Sequence, residues 1–188
     1  MRSSASCKIE GSGQVHMVFQ LVLATDALLQ PEFGTKVTPN YTNLFTLSTI
    51  VDNFGTVNLV DACQKIGVNR FILISSILMN GATMGQILNP AYIILNVFGL
   101  TLIPIRRSGI NYTIVTPGGL KNDPPSGNIV MEFEYTLYEG SISRVQVAEV
   151  SVEALLYPES HYKVVEMVSR TEAPKRSFED LFGAIRQE

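Results

Sequence analysis

The chain has only two cysteines, Cys7 and Cys63, too few for a disulfide framework. Cys63 falls on the apolar side of a helical pattern, as a small buried hydrophobe does, and this sparse use fits a reducing compartment. Histidine is equally scarce. His16 and His161 lie far apart, with no cysteine or acid at ligand spacing, so no metal site is expected. Fourteen Lys and Arg against seventeen Asp and Glu leave a formal charge of −3. With no basic stripe interleaved with aromatics, nucleic-acid binding is excluded, as is bulk attraction to anionic lipid. No Gly-x-Ser-x-Gly elbow occurs, so serine hydrolysis has no support. Tyr41, Tyr92, Tyr112, Tyr135, Tyr138, Tyr157 and Tyr162 all lack a lysine four residues on, the spacing at which a lysine lowers the phenol's pKa for acid–base work. No catalytic residue is therefore assigned.

Charge is missing altogether from Phe71 to Ile105. Within this desert, Ile87 to Ile105 is long enough to cross a bilayer. Asn89, Pro90, Asn96, Gly99 and Pro104 interrupt it, however, and its first residues read as a buried strand. An apolar loop and helix facing a hydrophobic ligand, a protein partner or a membrane surface is expected instead of a transmembrane span. At the other extreme, Met1–Lys8 is Ser-rich, basic and free of acid, as organelle transit peptides are, but Glu10 follows at once and makes it very short for one.

What is present is α/β grammar. The hydrophobic fraction is 46% and the charged fraction 16%, enough for one globular domain with a core. Val18–Thr25 reads as a strand, and Gln30–Ile50, with its prolines and asparagines, as a long loop. Val51–Ile66 is helical by spacing, and Gly67 sits where a helix end wants a left-handed residue. Phe71–Ile74 is a strand apolar on both faces, ending in Ser75 and Ser76 at the carboxyl edge, where open α/β sheets place ligands. Ser108-Gly109-Ile110-Asn111 repeats the glycine exit and feeds Tyr112–Val115, which leads to Pro117-Gly118-Gly119. Ser143-Arg144-Val145-Gln146 is a capping box opening a helix through about Leu156. Tyr162–Val168 is a further strand, and Ser177-Phe178-Glu179-Asp180 starts a last helix with acids in its first turn. Glu132, Glu134 and Glu139 fall in a segment that reads as a solvated loop. The sum is an α/β fold: a partial Rossmann-like parallel sheet of about four strands with flanking helices, the crossovers right-handed.

Val51–Ser76, Asn80-Gly81-Ala82, Met84–Pro90, Ser108–Val115, Pro117–Pro125, Tyr138–Arg144 and Ala173–Ser177 together resemble plant chloroplast NAD(P)-binding proteins of the atypical short-chain dehydrogenase/reductase group. The resemblance runs from Val51 to the C-terminus, and Leu21–Thr25 looks like the family's fourth strand. It implies residues 51–188 as an NAD(P)-binding-like α/β body and residues 1–50 as a divergent segment with one strand and a long loop, in a single domain. It also implies NADP or NAD as cofactor, a chloroplast location, and cofactor contacts at Thr25, Ser75, Ser76, Pro117, Gly118 and Gly119. Ser75 lies near the family's catalytic serine, but with no tyrosine partner it reads as a strand-end cap or ligand contact.

Several departures bear on that function. The family's glycine-rich phosphate loop, which brings backbone amides and a helix N-terminus to the pyrophosphate, is not found. Gly11-Ser12-Gly13-Gln14-Val15-His16 has His16 in place of the third glycine and no strand before it. The family's first three strands have no counterpart, so the chain is expected to be a truncated member. Its Ala-Thr-Gly turn reads Ala24-Thr25-Asp26, placing a carboxylate near the phosphates. Its arginine before Pro117 is Thr116, and the helix before Ser108 reads as shortened, with Pro104 in it. These departures point to weak or absent cofactor binding. Three readings stay open: a reductase-like NAD(P)-binding protein with impaired cofactor binding, a non-catalytic chloroplast interaction or scaffold protein, and a mispredicted fragment of a full-length member with Met1–Ile50 partly foreign. Partners compatible with all three are a dinucleotide or small apolar ligand, a protein, and peripheral contact with a membrane.

Overall fold

The structure is a computed structural model that describes residues 5–9, 15–20, 54–77, 80 and 102–186. A six-stranded mixed sheet organises them. In chain order its strands are β1 (Ala5–Ile9), β2 (Val15–Gln20), β3 (Arg70–Ile74), β4 (Asn111–Pro117), β6 (Asn128–Glu132) and β8 (Lys163–Arg170), and in space they run β1-β2-β3-β4-β8-β6. The four middle strands are parallel, with His16 opposite Arg70, Arg70 opposite Asn111 and Thr113 opposite Lys163. These are the roughly four parallel strands the sequence implies. The sheet is not purely parallel, because β1 pairs antiparallel with β2 and β6 antiparallel with β8. A second, two-stranded parallel sheet joins β5 (Gly119–Lys121) to β7 (Ser141–Ser143).

Alternation along the strands sends side chains to two faces. Phe71, Leu73 and Ile114 pack on one side with Val60 and Cys63 of helix α1 (Gly55–Lys65), and with Leu102 and Ile105 of a helical stretch at residues 102–107. Ile72, Ile74, Val115, Val165 and Met167 face the other side. There they meet Val147, Val150 and Ala154 of α2 (Arg144–Leu156) and Leu181 and Phe182 of α3 (Phe178–Ala184). All five residues of β3 are buried, so the continuous apolar run Phe71–Ile74 is what a strand covered on both faces requires. Cys63 is fully buried in the first layer.

Helix ends follow their local signals. Gly67, at φ +73°, ends α1, and Gly109, at φ +74°, precedes β4. Ser143 Oγ accepts from the Gln146 amide at 3.1 Å, while Gln146 Oε1 accepts from the Ser143 amide at 3.3 Å, the reciprocal pair of a capping box. Ser177 Oγ caps α3 by accepting from the Asp180 amide at 3.1 Å.

Some expectations shift. The strand read over Val18–Thr25 begins earlier, at Val15, and its residues 21–25 lie outside the described set, as do the loop Gln30–Ile50 and most of the apolar stretch Ile87–Ile105. Among its described residues the N-terminal segment holds two strands rather than one, and Ala5–Lys8 of the transit-like stretch belongs to β1. Contrary to the sequence reading, a strand, β1, does precede Gly11; the glycines at 11 and 13 lie outside the described residues, and the strands before and after them, β1 and β2, pair antiparallel with Ile9 opposite Val15. Glu132 is a strand residue of β6 rather than part of a loop, because it pairs across the ladder with Glu166. Pro104 does not prevent helix at residues 102–107. Among the described residues, no helix is long and apolar enough to cross a membrane, and no group of three metal-ligating side chains occurs.

Candidate functional site

The carboxyl ends of β3 and β4 bring two of the sequence-derived segments together. The amide of Ser75 donates to the Val115 carbonyl at 2.8 Å, and the amide of Ile77 donates to the Pro117 carbonyl at 3.1 Å. Ser75 and Ser76, both half-buried, therefore run beside the end of β4, where Pro117 and Gly118 are buried and Gly119 is exposed. Thr25 lies outside the described residues.

The Pro117-Gly118-Gly119 segment is fixed by the protein's own backbone. Gly118 donates to the Met167 carbonyl at 2.9 Å, and Gly119 donates to the Gly140 carbonyl at 2.9 Å. A Cβ on Gly118 would stand 2.6 Å from the Gly140 oxygen and 2.9 Å from Val168 Cγ1, so only glycine fits. The segment is no plain turn, since Gly119 opens β5 and pairs with Ser141 of β7. The amides of Ser75, Gly118 and Gly119 are thus engaged inside the protein. A small polar groove of about 190 Å³ lies beside β5 and β7, lined among others by Lys121, Asp123, Ser126, Ser141, Ser169 and Thr171.

Two buried charged residues with no place in the sequence reading organise what surrounds this edge. Glu166, in the middle of β8, is fully buried. One carboxylate oxygen accepts from the Tyr135 amide at 2.6 Å and Asn80 Nδ2 at 2.7 Å; the other accepts from the Thr136 amide at 3.1 Å and the Leu137 amide at 2.6 Å. Three successive backbone amides and one side-chain amide converge on a single carboxylate, which satisfies its acceptor sites without a cation. Tyr135 adopts φ +65° to present its amide. Asn80 also donates to the Leu137 carbonyl at 2.6 Å, tying the chain beyond β3 to the segment after β6. Glu134, in that segment, forms an ion pair with Arg106 at 2.6 Å. Burial is the main effect raising the pKa values of Tyr112 and Tyr135, and it moves both phenols away from ionisation near neutral pH.

Arg70, the second buried charge, is 3% exposed at the opposite, amino end of β3. It donates to Asn111 Oδ1 at 2.7 Å and, at 2.6 Å each, to Thr113 Oγ1, the Ala154 carbonyl and Ser160 Oγ. Burial lowers its pKa to about 10, with Tyr162 acting in the opposite sense. The sequence signal for both residues was available: a charge embedded in an apolar strand, Arg70 heading Phe71–Ile74 and Glu166 inside Val164–Val168, must find internal partners.

Comparison with known proteins gives the geometry its context. The profile of a family described as NAD(P)H-binding matches residues 35–158. The chain is 70% identical over 143 residues to an uncharacterised chloroplastic protein of Arabidopsis thaliana, covering 72% of this chain and 51% of that one. It is 37% identical over 147 residues to the chloroplastic protein TIC 62 of Pisum sativum, covering 72% of this chain and 26% of that one. The chain thus spans about half the length of the first relative and about a quarter of the second. Among solved structures, a protein of Bacillus halodurans described as an NAD-dependent epimerase/dehydratase superposes with a TM-score of 0.63 at 23% identity, covering 80% of this chain and 65% of that one. That likeness is one of fold.

Proposed function

The chain belongs to the NAD(P)H-binding family of Rossmann-like proteins, and from that premise we propose that it is a reductase-like chloroplast protein that holds NADP or NAD weakly through its own residues. Ser75, Ser76, Pro117, Gly118 and Gly119 form the face toward the nicotinamide end, on the carboxyl edge where open α/β sheets take ligands; Thr25, outside the described residues, is assigned to it from the sequence alone. The observation that carries the weakness is the inward engagement of the Ser75, Gly118 and Gly119 amides. A pyrophosphate needs donors of that kind pointing outward at a helix N-terminus, and the strands before and after Gly11–Gln14, β1 and β2, pair antiparallel. When bound, the dinucleotide would supply hydride transfer. This chain's contribution is to position the ring end and shield it, with Glu166 holding the segment after β6 in place. No Tyr-x-x-x-Lys pair is encoded, so the chain has no lysine-assisted phenol of that spacing for proton transfer.

A second reading, a non-catalytic interaction protein, draws on α2. Val145, Val152 and Leu156 of that helix are 59%, 54% and 69% exposed. Calorimetric titration with NADPH separates the two. The first reading expects a dissociation constant of about 0.1 mM or weaker, near −5.5 kcal/mol, and loss of that binding in Ser75→Trp. A constant in the low micromolar range refutes weak binding. The absence of any binding leaves the interaction reading in its place.

A further inference from the structure

A cavity of about 790 Å³ opens at the amino ends of β3 and β4, on the side of the sheet opposite the candidate cofactor edge. Among the described residues its polar lining comprises Gln64, Asn69, Arg70, Ser108, Asn111 and His161, with no Asp or Glu. Leu156 and Tyr162 supply apolar wall. Among the described residues Arg70 has no acidic hydrogen-bond partner. All four of its hydrogen-bond acceptors are neutral, and its Nε has no partner among the described residues. A guanidinium held out of water without an anion is an uncompensated charge, and such a charge favours whatever anion can reach it. His161 stands on the same lining. Glu159 is the acid nearest to it in sequence, but its side chain does not line the cavity. The lining thus combines one fixed cation, a second group able to become one, and the Asn69 and Asn111 carboxamides beside a ring and an aliphatic surface, while the Ser108 hydroxyl donates to the Ile105 carbonyl and Gln64 Nε2 to the Ser108 carbonyl. That donor set matches a phosphate carried on an apolar body, because a guanidinium and nearby N–H groups recognise phosphate oxygens.

We propose that this basal cavity binds a small phosphate monoester. The phosphate lies toward Arg70, Asn69 and His161, and the organic part lies against Tyr162 and Leu156. The site is separate from the dinucleotide edge and does not depend on the reading given for it. The competing explanation is that Arg70 is only a tie between β3, β4 and the end of α2.

Calorimetric titration of the whole chain with inorganic phosphate and with phenyl phosphate, against chloride at equal ionic strength, decides between them. Both probes should bind, phenyl phosphate more tightly. Arg70→Gln strips bonds from the core and can unfold the protein, so the diagnostic variants sit at the rim. Leu156 is 69% exposed. Leu156→Glu should weaken both probes and Leu156→Lys strengthen them, each about fivefold for unit charges roughly 8 Å apart at an effective dielectric near 40. His161→Gln should weaken both. Saturating phosphate should leave an NADPH titration unchanged. The proposal is overturned by no heat at millimolar probe, by binding that ignores the charge at position 156, by phenyl phosphate binding no tighter than phosphate, or by competition with NADPH.

Discussion

Replacing Glu166 by glutamine exchanges one oxygen for an NH2 group and tests the account of the segment after β6. In the native protein each carboxylate oxygen accepts two hydrogen bonds, one from the Tyr135 amide and Asn80 Nδ2, the other from the Thr136 and Leu137 amides. A glutamine of the same shape must turn its NH2 toward one of those donor pairs. Two buried donors then lose their acceptor, and the NH2 faces donors itself. Each buried group left unsatisfied costs about 1–3 kcal/mol, and the two surviving bonds fall from charged to neutral strength. Relaxation of Tyr135 from its left-handed conformation returns about 1 kcal/mol. The net expectation is a loss of about 4 kcal/mol, which for a domain of this size lowers Tm by roughly 10 °C. Urea denaturation followed by circular dichroism measures the stability, and hydrogen exchange reads the Tyr135, Thr136 and Leu137 amides one by one. In the variant, exchange at those three should accelerate ahead of exchange in β4 and β8. A loss under about 1 kcal/mol with their protection intact would refute the claim that the carboxylate organises the segment.

Two further expectations rest on equally local geometry. Gly118→Ala drives a Cβ to within 2.6 Å of a backbone oxygen that cannot rotate away, so it should destabilise by about 2 kcal/mol or more; chemical denaturation checks this, and a neutral result would mean that β5 and β7 are free to part. His161 has its pKa lowered below the ordinary 6.5 by burial first and by Arg70 second, with Glu159 opposing. The unfolded chain therefore binds more protons between the lowered value and 6.5, so stability is lost as pH falls through that window and is regained above it. Unfolding at about pH 7.5 and about pH 5.5 should show a steeper loss in the native protein than in His161→Gln, and equal slopes would contradict it.

The features legible in the sequence are those whose cause is local. The Ser143–Gln146 box announces α2 because two side chains and two amides within four residues define the helix start, and the helix ends at Leu156 as expected. Gly67 and Phe71–Ile74 are equally self-declaring. The structure also places Ser75 and Ser76 beside Pro117 and Gly118, an adjacency foreshadowed by two glycine exits feeding two apolar strands. What escaped is set by distant partners. Nothing local tells Asn128–Glu132 that it will run antiparallel to β8, or Gly119 that it will pair with Ser141. The apolar run Leu21–Thr25 outbids Val15–Gln20 on hydrophobicity alone, yet the register with β3 is taken by the less apolar stretch. Glu166 and Arg70 were visible as charges in apolar surroundings, but their acceptors and donors come from sequence separations of 29 to 90 residues.

β8 is wedged between β4 and β6, parallel to one and antiparallel to the other. A strand held along both margins cannot leave without parting two ladders at once, together with the carboxylate that anchors the segment after β6. Among the described residues β1 and β6 each have one ladder to lose. Fluctuations that peel either flank should therefore leave β8 in place, the last piece of the sheet to let go.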